Sequence, residues 1–251
     1  MSSYTLDVQQ QGTVARITFG HPASNAMSSE LLARLAKAIE ELSGTSSVIV
    51  LQSEGERVFC AGANFDELLA LENQDQATAF FSGFAKVILA IRNSSALVLG
   101  RIQAKAVGGG VGIIAACDYA LALDQASIKL SEIGIGIAPL VIEPAVTRKI
   151  GAGAMASFAL HPKEWKTAEW ALNHNLYQSV FETVSHLDHA IDALNEELSA
   201  YSPKALAALK TSLWEGTSHW ESLLADRAEA SGRLALTAEA QEIISAFKNR
   251  G

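Results

Sequence analysis

Cysteine is scarce in this chain. Only Cys60 and Cys117 occur in 251 residues, both among apolar neighbours, which argues against a disulfide framework and for reduced thiols in a reducing compartment. Positive charge is also short, with 19 Lys and Arg against 27 Asp and Glu and a formal net charge of −8. No whole-surface basic field is available to hold a phosphate backbone, so nucleic acid is not an expected partner. Long apolar runs are missing too. The longest, Ala106 to Cys117, contains four glycines and is too short to span a bilayer. The opening residues, Met1 to Val8, lack the basic and then apolar stretches of a secretory leader, so a cytoplasmic protein without a membrane partner is expected. The six histidines show neither H-x-x-x-H nor H-E-x-x-H spacing, and no metal site is expected.

What is present is the composition of an ordinary globular chain, 49% hydrophobic and 18% charged, long enough for one sizeable core. Thr5 to Val8 and Thr13 to Phe19 predict a β-hairpin turning at Gln9 to Gly12. Ser28-Ser29-Glu30, with a capping Ser, precedes a helical stripe of Leu31, Leu32, Leu35, Ala36, Ile39 and Leu42. Val48 to Leu51 predicts a short buried strand, Asp75 to Ile91 a helix, and Ala96 to Ile102 a strand running towards Gly108-Gly109-Gly110. From Pro139 onward the patterns are helical, at 139–150, 152–160, 164–172, 186–200, 203–214 and 218–232. Strands early and helices late predict an α/β core of roughly 200 residues with a helical extension.

Two segments carry the chemistry. In Val58-Phe59-Cys60-Ala61-Gly62-Ala63-Asn64-Phe65 a strand-like entry meets small residues and then a helix. In Ala106-Val107-Gly108-Gly109-Gly110-Val111-Gly112 an apolar entry meets the triple glycine and a buried helix. Small residues let main-chain N–H groups approach a ligand atom closely, and a helix N-terminus adds a positive dipole end. Two such loops can aim two donors at one oxygen, the requirement of an oxyanion hole. A tight turn against a crowded core explains either loop taken alone. Dinucleotide binding is a further alternative, since Gly110 to Ala115 and Gly151 to Ala156 both fit G-x-G-x-x-G/A. The second copy follows no strand and the first sits in no clean βαβ repeat.

Together with Ser131-Glu132-Ile133-Gly134-Ile135-Gly136-Ile137-Ala138-Pro139, the order of the two loops resembles the enoyl-CoA hydratase/isomerase (crotonase) family. The likeness extends to Ile17-Thr18-Phe19, His21-Pro22, Asn25-Ala26, Asp118, Ser202-Pro203-Lys204-Ala205 and Ser245-Ala246-Phe247-Lys248. It implies a ClpP-like spiral β-β-α core, taken here as residues 1–195, and a C-terminal helical trimerisation region over 196–251. It also implies an acyl-CoA thioester substrate, no cofactor beyond that coenzyme A, and a homotrimer or dimer of trimers. The thioester oxygen falls between the N–H groups of Ala63 and Gly109. Ala26, Ala61, Gly62, Asn64, Gly108, Gly110, Gly112 and Pro139 fall on the substrate side.

The likeness breaks at one acid. Hydratases of the best-known subgroup carry two glutamates, and the first of these positions is Gly112 here. Glu132 alone is left as general acid and base, its pKa raised by apolar Leu130, Ile133 and Ile135. This pattern resembles the bacterial methylglutaconyl-CoA hydratase subgroup and the dehydratases of polyketide β-branching. An enoyl-CoA isomerase or a decarboxylase using Glu132 alone, and a non-catalytic acyl-CoA binder, are the alternatives. Glu143 is a spare carboxylate that either supplies a proton or only complements a helix dipole. The basic residue usual two places after the first loop's Asp/Asn is replaced by Asp66, with Arg57 the nearest cation. Trp165, Trp170, Phe80, Phe81 and Phe84 sit at helical spacings and are assigned to packing.

Overall fold

The computed structural model describes residues 4–248. Met1 to Ser3 and Asn249 to Gly251, which belong to the stretch read for a leader and to the two sequence divisions, lie outside it, as do the side chains of Phe247 and Lys248. The described strands are β1 (Thr5–Gln11), β2 (Val14–Gly20), β3 (Val48–Ser53), β4 (Val58–Cys60), β5 (Leu97–Ile102), β6 (Lys105–Val107), β7 (Tyr119–Leu123), β8 (Ile128–Lys129) and β9 (Ser179–Phe181). The helices are α1 (Ser29–Ser43), α2 (Phe65–Leu69), α3 (Gln74–Asn93), α4 (Gly109–Ala116), α5 (Glu143–Ile150), α6 (Ala152–Ala159), α7 (Ala168–Asn173), α8 (Val184–Ser199), α9 (Pro203–Leu213), α10 (Trp220–Ala235) and α11 (Ala238–Lys248). This is the α/β class with helical C-terminal part that the sequence predicts. Among the described residues no helix is long and apolar enough to cross a membrane.

The strands make one six-stranded sheet, ordered β1-β2-β3-β5-β7-β9, and one three-stranded sheet, ordered β4-β6-β8. Among the described strand pairs only β1–β2 is antiparallel. Each of three successive passes lays its first strand in the large sheet and its second in the small one: β3 then β4, β5 then β6, β7 then β8. β4, β6 and β8 are mutually parallel, so the residues following all three leave the small sheet on the same side. Those residues are the first loop, the triple glycine and Ser131-Glu132. A crevice beyond the carboxyl ends of parallel strands is where α/β folds place ligands.

The sequence explains the layers around this crevice. The β3 side chains Val48, Ile49, Val50 and Leu51 are fully buried, as a strand covered on both faces requires. The Ser28 side chain accepts from Leu31 N at 3.2 Å and so starts α1, whose apolar stripe is buried. Gly83 lets α1 approach α3, since a Cβ there would lie 2.9 Å from Leu32 Cδ1. Buried Asp118 fixes α9 to the end of α4, accepting from Lys210 Nζ at 2.8 Å, with Trp214 Nε1 donating to it at 2.9 Å.

Several elements differ from the sequence expectation. The strand from Ala96 does not run into the triple glycine. It breaks at Gln103-Ala104 and resumes as β6 in the other sheet, with the buried Gln103 amide donating to Ser53 Oγ at 2.9 Å and Gly55 O at 2.9 Å. β9 lies within the part read as helical and pairs with β7; three half-buried residues are too few to show a period. The helix expected at 139–150 begins at Glu143, and the one expected at 164–172 begins at Ala168, because Lys166 bridges to Ile128. α11 follows the last separate helical pattern, at 218–232, within the C-terminal region expected to be helical. The division expected at 195/196 falls inside α8.

Candidate active site

The first loop is held by neighbours that use its amides one after another. Ala61 N donates to Ser24 O at 3.1 Å, and Asn64 N donates to Met27 O at 3.0 Å. Gly62 N points at Cys60 Sγ at 3.4 Å, and Gly62 O accepts from Met27 N at 2.8 Å. The Ala63 N–H is left without a partner among the described residues. The second loop repeats this arithmetic. Gly108 N donates to Lys129 O at 2.9 Å, and Gly108 O accepts from Val111 N and Gly112 N. The Gly109 N–H, opening α4, has no partner among the described residues. The loops touch: a Cβ on Gly62, at φ +88°, would lie 3.0 Å from Val107 O and 3.8 Å from Gly109 N. Ala63 and Gly109 line one cavity of about 390 Å³, within the range of small-molecule sites.

Glu132 opens a 3₁₀ turn, Glu132–Ile135, and lines the same cavity. Its Oε2 is sealed from solvent and has no hydrogen-bond partner among the described residues. Burial pushes the carboxyl up to about 7, against a smaller opposing effect of the Glu132 and Ser131 amides, because a charge removed from water is disfavoured. Gly108 makes room for it. At φ +52° a Cβ there would lie 2.7 Å from Glu132 Oε1, so a side chain would meet both backbone strain and the carboxylate.

The missing second acid has a steric counterpart. A Cβ on Gly112 would lie 2.5 Å from Ile142 Cβ, and Ile142 lines the cavity. The volume that a longer residue at 112 would occupy is filled by an apolar side chain. Glu143 does not replace the acid: it accepts from Thr147 Oγ1 at 2.5 Å and pairs with Arg227, and it is not among the cavity residues. It sits in the first turn of α5, the dipole role considered for it.

Of the other residues placed on the substrate side, Ala26, Ala61, Gly62, Gly108 and Pro139 line the cavity. Three do not. Asn64 is the N-cap of α2, its side chain accepting from Glu67 N at 3.1 Å. Gly110 backs onto Cys60, whose Cβ would be 2.6 Å from a Cβ there, and Gly112 lies behind Ile142. The packing assignment holds for Phe80, fully buried against Phe81 and Phe84, and for Trp170, stacked on His174. It is incomplete for Phe81, Phe84 and Trp165, which line the cavity. Sequence reasoning missed the cations. Lys129 lines the cavity, and its Nζ lies 4.7 Å from the centre of the Trp165 ring, with Lys105 Nζ at 5.4 Å from the same ring. Arg57 is exposed and not among the cavity residues. Cys60 and Cys117 are buried with thiols pushed up to about 12, so neither is a nucleophile near neutrality.

Comparison with known sequences decides the family, because the sequence model for enoyl-CoA hydratase/isomerase matches residues 9–250. The chain belongs to the enoyl-CoA hydratase/isomerase family. Its relatives include the 2,3-dehydroadipyl-CoA hydratase of Escherichia coli, 30% identical over 253 residues and covering 96% of this chain and 94% of the relative. An enoyl-CoA hydratase structure from Mycobacterium avium is 31% identical, with a TM-score of 0.83 over 98% of this chain and 96% of that one. The Bacillus halodurans enoyl-CoA hydratase structure superposes with a TM-score of 0.89 at 24% identity, over 96% and 99% of the chains; this last likeness speaks for the crotonase fold alone. Like its relatives, this enoyl-CoA hydratase/isomerase family member is an enzyme.

Proposed function

We propose that this enzyme adds water to the Cα=Cβ bond of an acyl-CoA thioester, or removes it to form that bond, with methylglutaconyl-CoA as the candidate branched substrate. The observation that supports this is one cavity lined by a carboxyl that burial holds near neutrality and by two loop residues whose amides have no partner among the described residues. In this reading the Ala63 and Gly109 N–H groups bind the thioester oxygen. Glu132, ionised, takes a proton from water as the oxygen attacks Cβ, and negative charge gathers on the thioester oxygen. Losing one such donor costs about 3–4 kcal/mol of transition-state stabilisation. Glu132 then returns its proton to Cα on the same face, so one carboxyl closes the cycle. Lys129 and Trp165, at the cavity wall, are proposed to meet the anionic carrier. The E. coli relative's name, 2,3-dehydroadipyl-CoA hydratase, supports the hydratase reading.

A second reading is favoured by Ile142 filling the space beside Gly112: a single carboxyl suffices for a 1,3-proton shift, as in an enoyl-CoA isomerase. The test is turnover on 2-enoyl, 3-enoyl and methylglutaconyl thioesters followed by mass spectrometry. Gain or loss of one water identifies hydration, a moved double bond at unchanged mass identifies isomerisation, and no product from any removes both. We further propose a cytoplasmic homotrimer or dimer of trimers built through the C-terminal helices. Leu209 and Leu213 of α9, 54% and 55% exposed in the single chain, support this, and a monomeric mass in solution counts against it.

A further inference from the structure

We propose that Ser231 reads an oxygen at the far end of the acyl chain, so that the substrate is ω-oxygenated rather than a plain hydrocarbon thioester. The ligand's being an acyl thioester rests on the function proposed above. Ser231 lies within α10, is 1% exposed and lines the same cavity as Glu132. A serine inside a helix ordinarily returns its hydroxyl to the carbonyl one turn back. The Ser231 hydroxyl makes no such bond and has no partner among the described residues. The same cavity wall includes Phe81, Ile135 and Val141, whose side chains offer no hydrogen-bond partner. Facing the cavity, this hydroxyl offers a hydrogen bond that a ligand oxygen can take up and an apolar chain end cannot.

The position within the cavity follows from α3. A Cβ on Gly109 would lie 2.7 Å from Phe84 Cδ1, while one on Gly232, next to Ser231, would lie 3.0 Å from Thr78 N. Thr78 and Phe84 are six residues apart on α3, roughly 9 Å along the axis. Ser231 is therefore placed towards the end of the cavity away from Gly109 and the proposed thioester oxygen. The two cations flanking it on its helix are engaged, Arg227 by Glu143 and Leu140 O and Arg233 by Glu229, so the group recognised is a hydrogen-bonding oxygen, whether of a hydroxyl or a carboxylate.

The test is calorimetric binding of hexanoyl-CoA, its ω-hydroxy derivative and adipyl-CoA to the full chain and to Ser231→Ala, with melting curves showing that both are folded. Wild type is expected to bind at least one oxygenated thioester about threefold to tenfold more tightly than the plain one, and Ser231→Ala to erase that difference. The hydroxy and carboxylate arms tell which oxygen is read. Equal affinities in wild type, or a preference that survives the substitution, overturns the proposal. If none of the three binds, the thioester reading itself falls, and the inference with it.

Discussion

Glu132→Gln isolates the proposed proton transfer with little change in shape. Positioned acid–base groups contribute about 10²–10⁴-fold, so turnover should fall by at least a hundredfold while KM stays within a few-fold of wild type. The wild-type rate should rise with pH and level off above an apparent pKa near 7, because the proposed base must be ionised. Stability moves the other way. A rise from the ordinary 4.5 to about 7 means that the folded protein holds this proton more tightly than the unfolded chain. The corresponding stability is complete below about pH 4.5 and is lost as pH climbs through about 7. At about 1.36 kcal/mol for each tenfold change in proton affinity, the loss is about 3 kcal/mol, and E132Q should lack it. Steady-state hydration followed at the enoyl absorbance, with urea unfolding at about pH 5 and about pH 8, measures both. An E132Q protein within tenfold of wild-type rate, or a wild-type rate that is flat across neutrality, would refute the assignment.

Gly108→Ala should lower turnover at least tenfold and cost about 1–3 kcal/mol in denaturant melts, since it combines a positive φ with a collision at the Glu132 carboxylate. Gly112→Glu alone should destabilise by about 1–3 kcal/mol through overpacking against Ile142, and Ile142→Ala should recover part of that; an additive double-mutant cycle would show that the two sites do not compete for space. Lys129→Ala should raise KM for coenzyme A thioesters about threefold to tenfold, with the effect on KM rather than kcat, and a carrier truncated before its phosphates should abolish the difference.

The site's skeleton was legible because its parts are local. Ala63, Gly109 and Glu132 each stand in a short motif whose residue types are dictated by close backbone approach or by chemistry, and all three reach one cavity. Asn64 caps α2, and because an Asx side chain serves a helix cap as readily as a ligand, nothing local separates the two. The cavity walls were illegible for a different reason. Phe81 and Phe84 come from α3, Lys129 from β8 and Ser231 from α10, and no spacing within one element announces which side chains from another will meet it. β9 and the break at Gln103 escaped because strand membership there is settled by the neighbouring strands.

The contact between Ile142 and the bare backbone of Gly112 also shapes the routes by which such an enzyme can change. Acquiring a carboxylate at 112 before the isoleucine shrinks loads a full core, and shrinking the isoleucine first opens a void with no catalytic return. Either order is expected to pass through a less stable intermediate, so glycine at 112 is held in place by a small valley in sequence space, and a laboratory library that varies both positions together is the way across it.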